Sequence, residues 1–88
     1  MPTVVFAPAI QRHVPTAPRS VAANTVRTAL AAVFAEQAAL RDYILDEQGA
    51  LRCHVAVFVD NRKIDPLQLD ETIASATEIY VVQALSGG

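Results

Sequence analysis

The sequence predicts an α+β domain in which one mixed sheet packs on one main helix. Three observations predict it. Val26, Leu30, Val33 and Phe34 recur at helical spacing, Val55-Ala56-Val57-Phe58-Val59 is an unbroken β-favouring run, and Glu78 to Ala84 forms a second such run near the C-terminus. Eighty-eight residues allow one hydrophobic core rather than two, and an apolar content of 52% is ample to fill it.

Taken in order, Val4-Val5-Phe6-Ala7 is a short branched and aromatic run closed by Pro8, and it reads as the first strand. A turn-rich stretch from His13 to Arg19, with Pro15 and Pro18, then leads to Ser20-Val21-Ala22-Ala23 as a returning second strand. Asn24 or Thr25 caps the helix, whose alanines favour it, and the helix ends between Glu36 and Leu40. No Glu or Gln stands three residues after either cap, so the sequence shows no capping box. Arg41 to Leu51 reads as an irregular stretch turning at Gly49. The run Val55 to Val59 is the best strand, Asp60-Asn61-Arg62 supplies a turn, and Lys63-Ile64 extends briefly to make a hairpin. After the last strand, Ser86-Gly87-Gly88 has no apolar side chain to pack and little backbone preference, so Leu85 to Gly88 is expected to be a flexible tail.

Composition excludes several functions. The net charge of −2 comes from scattered residues, so there is neither a basic nucleic-acid face nor an acidic tail. No apolar run approaches the roughly 20 residues that span a bilayer, and Met1-Pro2-Thr3-Val4 lacks the features of a signal peptide, so a cytoplasmic protein with no membrane partner is expected. The single cysteine, Cys53, cannot form an internal disulfide and fits a reducing compartment. Cys53, His54 and His13 show neither a placed base nor three or four ligands at metal-site spacing, so no metal and no nucleophile are expected. Carboxylates such as Asp42, Asp46, Glu47, Asp60, Asp65, Asp70 and Glu71 are explained by solubility and capping, and Arg41 and Arg52 by a solvated surface. Lys63 is the sole lysine, which excludes chains built on several lysines.

Strand alternation points to an interaction surface. If Val5, Ala7, Val55, Val57, Val59, Ile79 and Val81 face the helix, the other face carries Val4, Phe6, Ala56, Phe58, Tyr80 and Val82. One helix covers one face, and monomers rarely leave large apolar patches in water. The outer face, with Phe6, Phe58, Tyr80 and Val82 as its docking residues, is therefore expected to meet a partner, or a second copy of the chain.

Thr25-Val26-Arg27 at the helix start, then Leu40-Arg41-Asp42 with Leu45-Asp46-Glu47-Gln48-Gly49, then Val55 to Asp60 and finally Glu78 to Gly88 together resemble the ubiquitin-like sulfur-carrier family. This is the MoaD/ThiS type, which includes the molybdopterin synthase small subunit and the thiamin sulfur carrier. The chain departs from the family pattern at Ala56, where an Asn is common, and at Gln83-Ala84, where a Pro pair is common. The resemblance implies a β-grasp domain over residues 1–84 and a working tail over 85–88. It also implies that the Gly88 carboxylate is adenylated by a MoeB/ThiF-like activating enzyme using ATP, then converted to a thiocarboxylate that donates sulfur to a downstream synthase. A ubiquitin-like modifier, joined through Gly88 to target lysines, is the alternative on the same chemistry.

That chemistry suits the residues. A terminal carboxylate, with a pKa of about 3.5, is an anion at neutral pH and is inert as an acyl donor until activated. The chain has no phosphate loop and no clustered basic residues, so it is expected to be the substrate and not the enzyme, with no bound cofactor of its own. Gly87 and Gly88 lack Cβ atoms, and with Ser86 and Leu85 they make an extended segment slim enough to thread a narrow channel.

Overall fold

The computed structural model describes residues 1–83, so the expectations placed on Ala84 to Gly88 lie outside the described residues. The chain order is β1 (Thr3–Phe6), α1 (Pro8–Gln11), β2 (Arg19–Ser20), α2 (Val26–Glu36), α3 (Ala38–Ile44), β3 (Val55–Val59), β4 (Arg62–Lys63) and β5 (Glu78–Gln83). The sheet runs β2-β1-β5-β3-β4, with β1 and β5 parallel at its centre and the other neighbours antiparallel. This is the predicted α+β architecture, with the first and last strands side by side.

The main helix starts at Thr25 through a reciprocal cap. The Thr25 hydroxyl accepts from the Thr28 backbone N–H at 3.1 Å, and the Thr28 hydroxyl accepts from the Thr25 N–H at 3.2 Å. The capping box absent from the Glu/Gln pattern is thus present with threonine at its third position, where a hydroxyl reaches the same donor. Val26, Ala29, Leu30, Val33 and Phe34 turn inward. At Gln37 the backbone leaves the helical region, with φ −138° and ψ 82°, and the chain redirects into α3. This third helix replaces the first part of the expected irregular stretch. It brings Leu40 and Ile44 to complete burial, which closes the core beyond the end of α2.

Pro8 begins a helical turn rather than only ending a strand. Its fixed φ and missing N–H suit a first helical position, and α1 drives Ile10 fully into the core. The second strand is shorter and earlier than expected, pairing Ser20 with Thr3 and Arg19 with Val4. Between β3 and β4, Asp60 and Asn61 have φ of 49° and 69° and make a two-residue hairpin turn. Both signs are those of the turn whose twist matches the flanking strands, and Asp and Asn tolerate them best among residues with side chains. Asp60 also ties the hairpin to β5, its side-chain oxygen accepting from the Glu78 N–H at 2.9 Å.

The facing of β1 corrects the sequence reading. Val4 and Phe6 are buried in the core, at 0% and 1% exposure, while Thr3 and Val5 are half-buried on the other side. Phe6 therefore does not belong to the outer face. Parallel pairing sets this phase: Val4 stands beside Ile79 and Phe6 beside Val81, both inward residues. Putting the larger phenyl ring inside also removes more apolar area from water than Val5 would.

Candidate partner-docking face

The outer sheet face is built by three neighbouring strands whose register is set by the core. In β5, Ile79 and Val81 are buried, so Tyr80 and Val82 turn outward and are half-buried. Antiparallel pairing places Phe58 opposite Tyr80 and Ala56 opposite Val82, and parallel pairing places Val5 beside Tyr80. A row Val5, Tyr80, Phe58 crosses the sheet and ends at Lys63, which pairs with Phe58 on the edge strand. Directly opposed side chains have Cβ atoms about 4.5–5.5 Å apart, so these residues form one contiguous apolar patch.

Of the four residues assigned to this face from the sequence, the structure brings together Phe58, Tyr80 and Val82 and removes Phe6. Val5 takes its place. Thr3 was the available signal: a polar residue at the start of the strand belongs on the water side, which sends Val4 and Phe6 inward and Val5 outward. The patch is framed by polar groups, with Thr3 beside Glu78 at one end and Lys63 at the β4 edge.

The last described residue of β5 is held from the opposite side of the sheet. The Tyr43 hydroxyl on α3 donates to the Gln83 side-chain oxygen at 2.7 Å. His13 stacks on the Tyr43 ring, with centroids 4.9 Å apart and an interplanar angle of 28°, and His54 meets it edge-on at 5.6 Å. The two histidines thus pack on a tyrosine that anchors the strand preceding the C-terminal segment. No local sequence pattern announces this cluster, because its members come from three separate elements.

Cys53 is exposed, and among the described residues no three His, Cys, Asp or Glu side chains converge as metal ligands. No helix among the described residues is long and apolar enough to cross a membrane. Gly88, with Leu85, Ser86 and Gly87, lies outside the described residues.

Neither a protein-family model nor a curated protein matches the sequence. Solved structures do match, nearly end to end. SAMP1 from Haloferax volcanii is 22% identical with a TM-score of 0.76, the match covering 99% of this chain and 98% of that one. In the Amycolatopsis orientalis BexX/CysO complex, the matching chain is 16% identical with a TM-score of 0.81 and full coverage of both chains. CysO of Mycobacterium tuberculosis is 17% identical with a TM-score of 0.80, covering 97% of this chain and 100% of that one. The central parallel pair formed by the first and last strands, the antiparallel flanks and the packed helix are therefore those of the ubiquitin-like β-grasp fold, and this chain has that fold.

Proposed function

We propose that the protein is a carrier, not a catalyst, and that the carboxylate of Gly88 is its reactive group. The observation that carries this reading is positional. The strand leading to Leu85-Ser86-Gly87-Gly88 is β5, which also presents Tyr80 and Val82 at the centre of the apolar outer face. An enzyme that covers this face stands at the root of the segment it must process.

In the proposed reaction a partner enzyme binds magnesium-ATP. A Gly88 carboxylate oxygen attacks the α-phosphorus, pyrophosphate leaves, and an acyl adenylate remains. Hydrosulfide supplied by the partner system then attacks the acyl carbon, AMP departs and the S–H proton is lost to water, leaving a thiocarboxylate that donates sulfur to a downstream synthase. Apolar burial over Phe58, Tyr80, Val82 and Val5 supplies docking energy, and the Cβ-free Gly87 and Gly88 allow the reacting carbon to enter a narrow site. We place this reaction in the cytoplasm, where the partner enzyme has ATP.

A second reading, conjugation through Gly88 to target lysines, is favoured by the likeness to structures described as small archaeal modifier protein 1. Intact mass spectrometry after incubation with the activating enzyme, ATP and a sulfur source separates the two. Replacement of one oxygen by sulfur in the free chain supports the carrier, whereas covalent adducts on other proteins support the modifier.

A further inference from the structure

The solvent side of α2 departs from the usual pattern of a surface helix. Ala31 and Ala35 follow Arg27 at four-residue spacing and are exposed, where charged or long polar side chains ordinarily stand. Their small side chains leave open a groove of about 250 Å³. Leu30, Phe34 and Leu69, each nearly buried, contribute its apolar walls. Leu69 is fixed there because its carbonyl accepts from the Arg27 N–H at 2.7 Å.

Two guanidinium groups border the groove, and they differ. Arg27 is engaged: its Nε donates to Asp70 at 2.9 Å and its Nη1 reaches the Gly49 carbonyl at 3.5 Å. Arg41, from α3, has only the neighbouring Asp42 within ion-pair range among the described residues, at 3.6 Å, and its side chain is 43% exposed. Such loose surface pairs contribute about 0–1 kcal/mol, so an incoming carboxylate with better geometry displaces Asp42 at little cost.

Size decides what kind of occupant fits. Small-molecule sites usually enclose roughly 300–1,000 Å³, so this groove is below that range but suited to one or two inserted side chains. We propose that it is a second docking site, taking an acidic, leucine-bearing peptide segment of a partner protein. A leucine side chain seats against Leu30, Phe34 and Leu69 in the space left by Ala31 and Ala35, and an adjacent carboxylate pairs with Arg41. The groove lies on the helix side of the sheet, away from the Phe58 and Tyr80 face, so both surfaces can be occupied at once. This proposal does not depend on the chemistry assigned to Gly88.

The test is heteronuclear NMR of the full chain titrated with the peptide acetyl-Glu-Asp-Leu-Leu-Asp-Glu-amide. The expected result is saturable shifts confined to the amides around Ala31, Ala35, Arg41 and Leu69. Arg41→Gln should weaken binding about two- to fivefold, the loss of one half-exposed charge-assisted pair. Ala35→Glu should abolish it by filling and charging the groove, with the rest of the spectrum unchanged. Three results overturn the proposal: no shift up to millimolar peptide, equal shifts from a peptide with lysine at every acidic position, or shifts at these amides that grow with protein concentration alone. The last would mean that a second copy of the chain covers the groove.

Discussion

Tyr43 and Gln83 are joined by a 2.7 Å hydrogen bond that ties α3 to the end of β5, and both histidine rings pack against the same tyrosine. The phenol is the only part of that ring able to donate. Tyr43→Phe keeps the two ring contacts and removes the bond. The expected cost is about 0.5–1.5 kcal/mol by urea unfolding, with faster amide exchange at Val82 and Gln83 than elsewhere in β5. Exchange that rises uniformly over the sheet would show that the bond does not act locally.

Phe58 and Phe6 should respond in opposite ways to the same substitution. Phe58→Asp places a charge on the half-buried outer face and should leave the fold intact, while binding to the activating enzyme falls by about 2 kcal/mol or more if this ring is an anchor. Phe6→Asp puts an unpaired carboxylate in the core and should unfold the domain; even Phe6→Ala should cost about 3–5 kcal/mol. Circular dichroism reads the folding difference. A folded Phe6→Asp protein would contradict the assigned phase of β1.

The parts of this fold legible in the sequence were those carried by local pattern. Val26 to Phe34 repeats at helical spacing, Val55 to Val59 and Ile79 to Val81 are dense in β-branched residues, and each lies where the pattern placed it. The phase of β1 was lost because four residues give alternation too few cycles, and its facing is imposed by pairing with a strand more than seventy positions away. α3 escaped because Gln37, neither glycine nor proline, marks the break before it, and α1 because a single turn has no period. The outer-face residues on β3 and β5 were readable from alternation. Val5 had one local signal, the polar Thr3 two positions before it on the same face, whereas Tyr43 and the groove beside Arg41 had none, since each is made by contacts between distant elements.

Thr28 should matter as a cap rather than as a helix former. Thr28→Val keeps the branched shape and removes the hydroxyl that accepts from the Thr25 N–H. The predicted loss is about 0.5–1 kcal/mol in thermal or urea unfolding, whereas Thr25→Ala, which removes the cap acceptor itself, should cost about 1 kcal/mol or somewhat more. If both variants match the parent, the helix start is held by packing of Val26 alone.

Asp46 should make the loop before β3 pH-sensitive. The backbone N–H groups of Ala50 and Gln48, at 3.0 and 2.8 Å, hold its carboxyl below the usual carboxylate range. Because the folded value is depressed, the stabilisation is complete above the ordinary aspartate pKa of about 3.9 and is lost as pH falls through the lower folded value. NMR titration of the Asp46 carboxyl should give a midpoint below that of a model peptide, with the Gln48 and Ala50 amide resonances moving in step. A midpoint at or above the peptide value would remove the loop's acid sensitivity from the account.

The central claim, that the carboxylate of Gly88 is the reactive group, is tested most directly by ATP-pyrophosphate exchange with the activating enzyme. The full chain is compared with one lacking Gly88 and with Gly87→Val. Deleting Gly88 moves the terminal carboxylate onto Gly87, about 3.5 Å short of its place in the partner's site, and should abolish exchange; thermal unfolding should stay as in the parent, the buried apolar residues among those described lying within residues 4–81. Gly87→Val narrows the allowed backbone, adds bulk in the threading segment, and should block exchange equally without loss of stability. Exchange at the parental rate by the chain lacking Gly88 would contradict the carrier and modifier readings together, leaving a β-grasp domain that acts only through its surfaces.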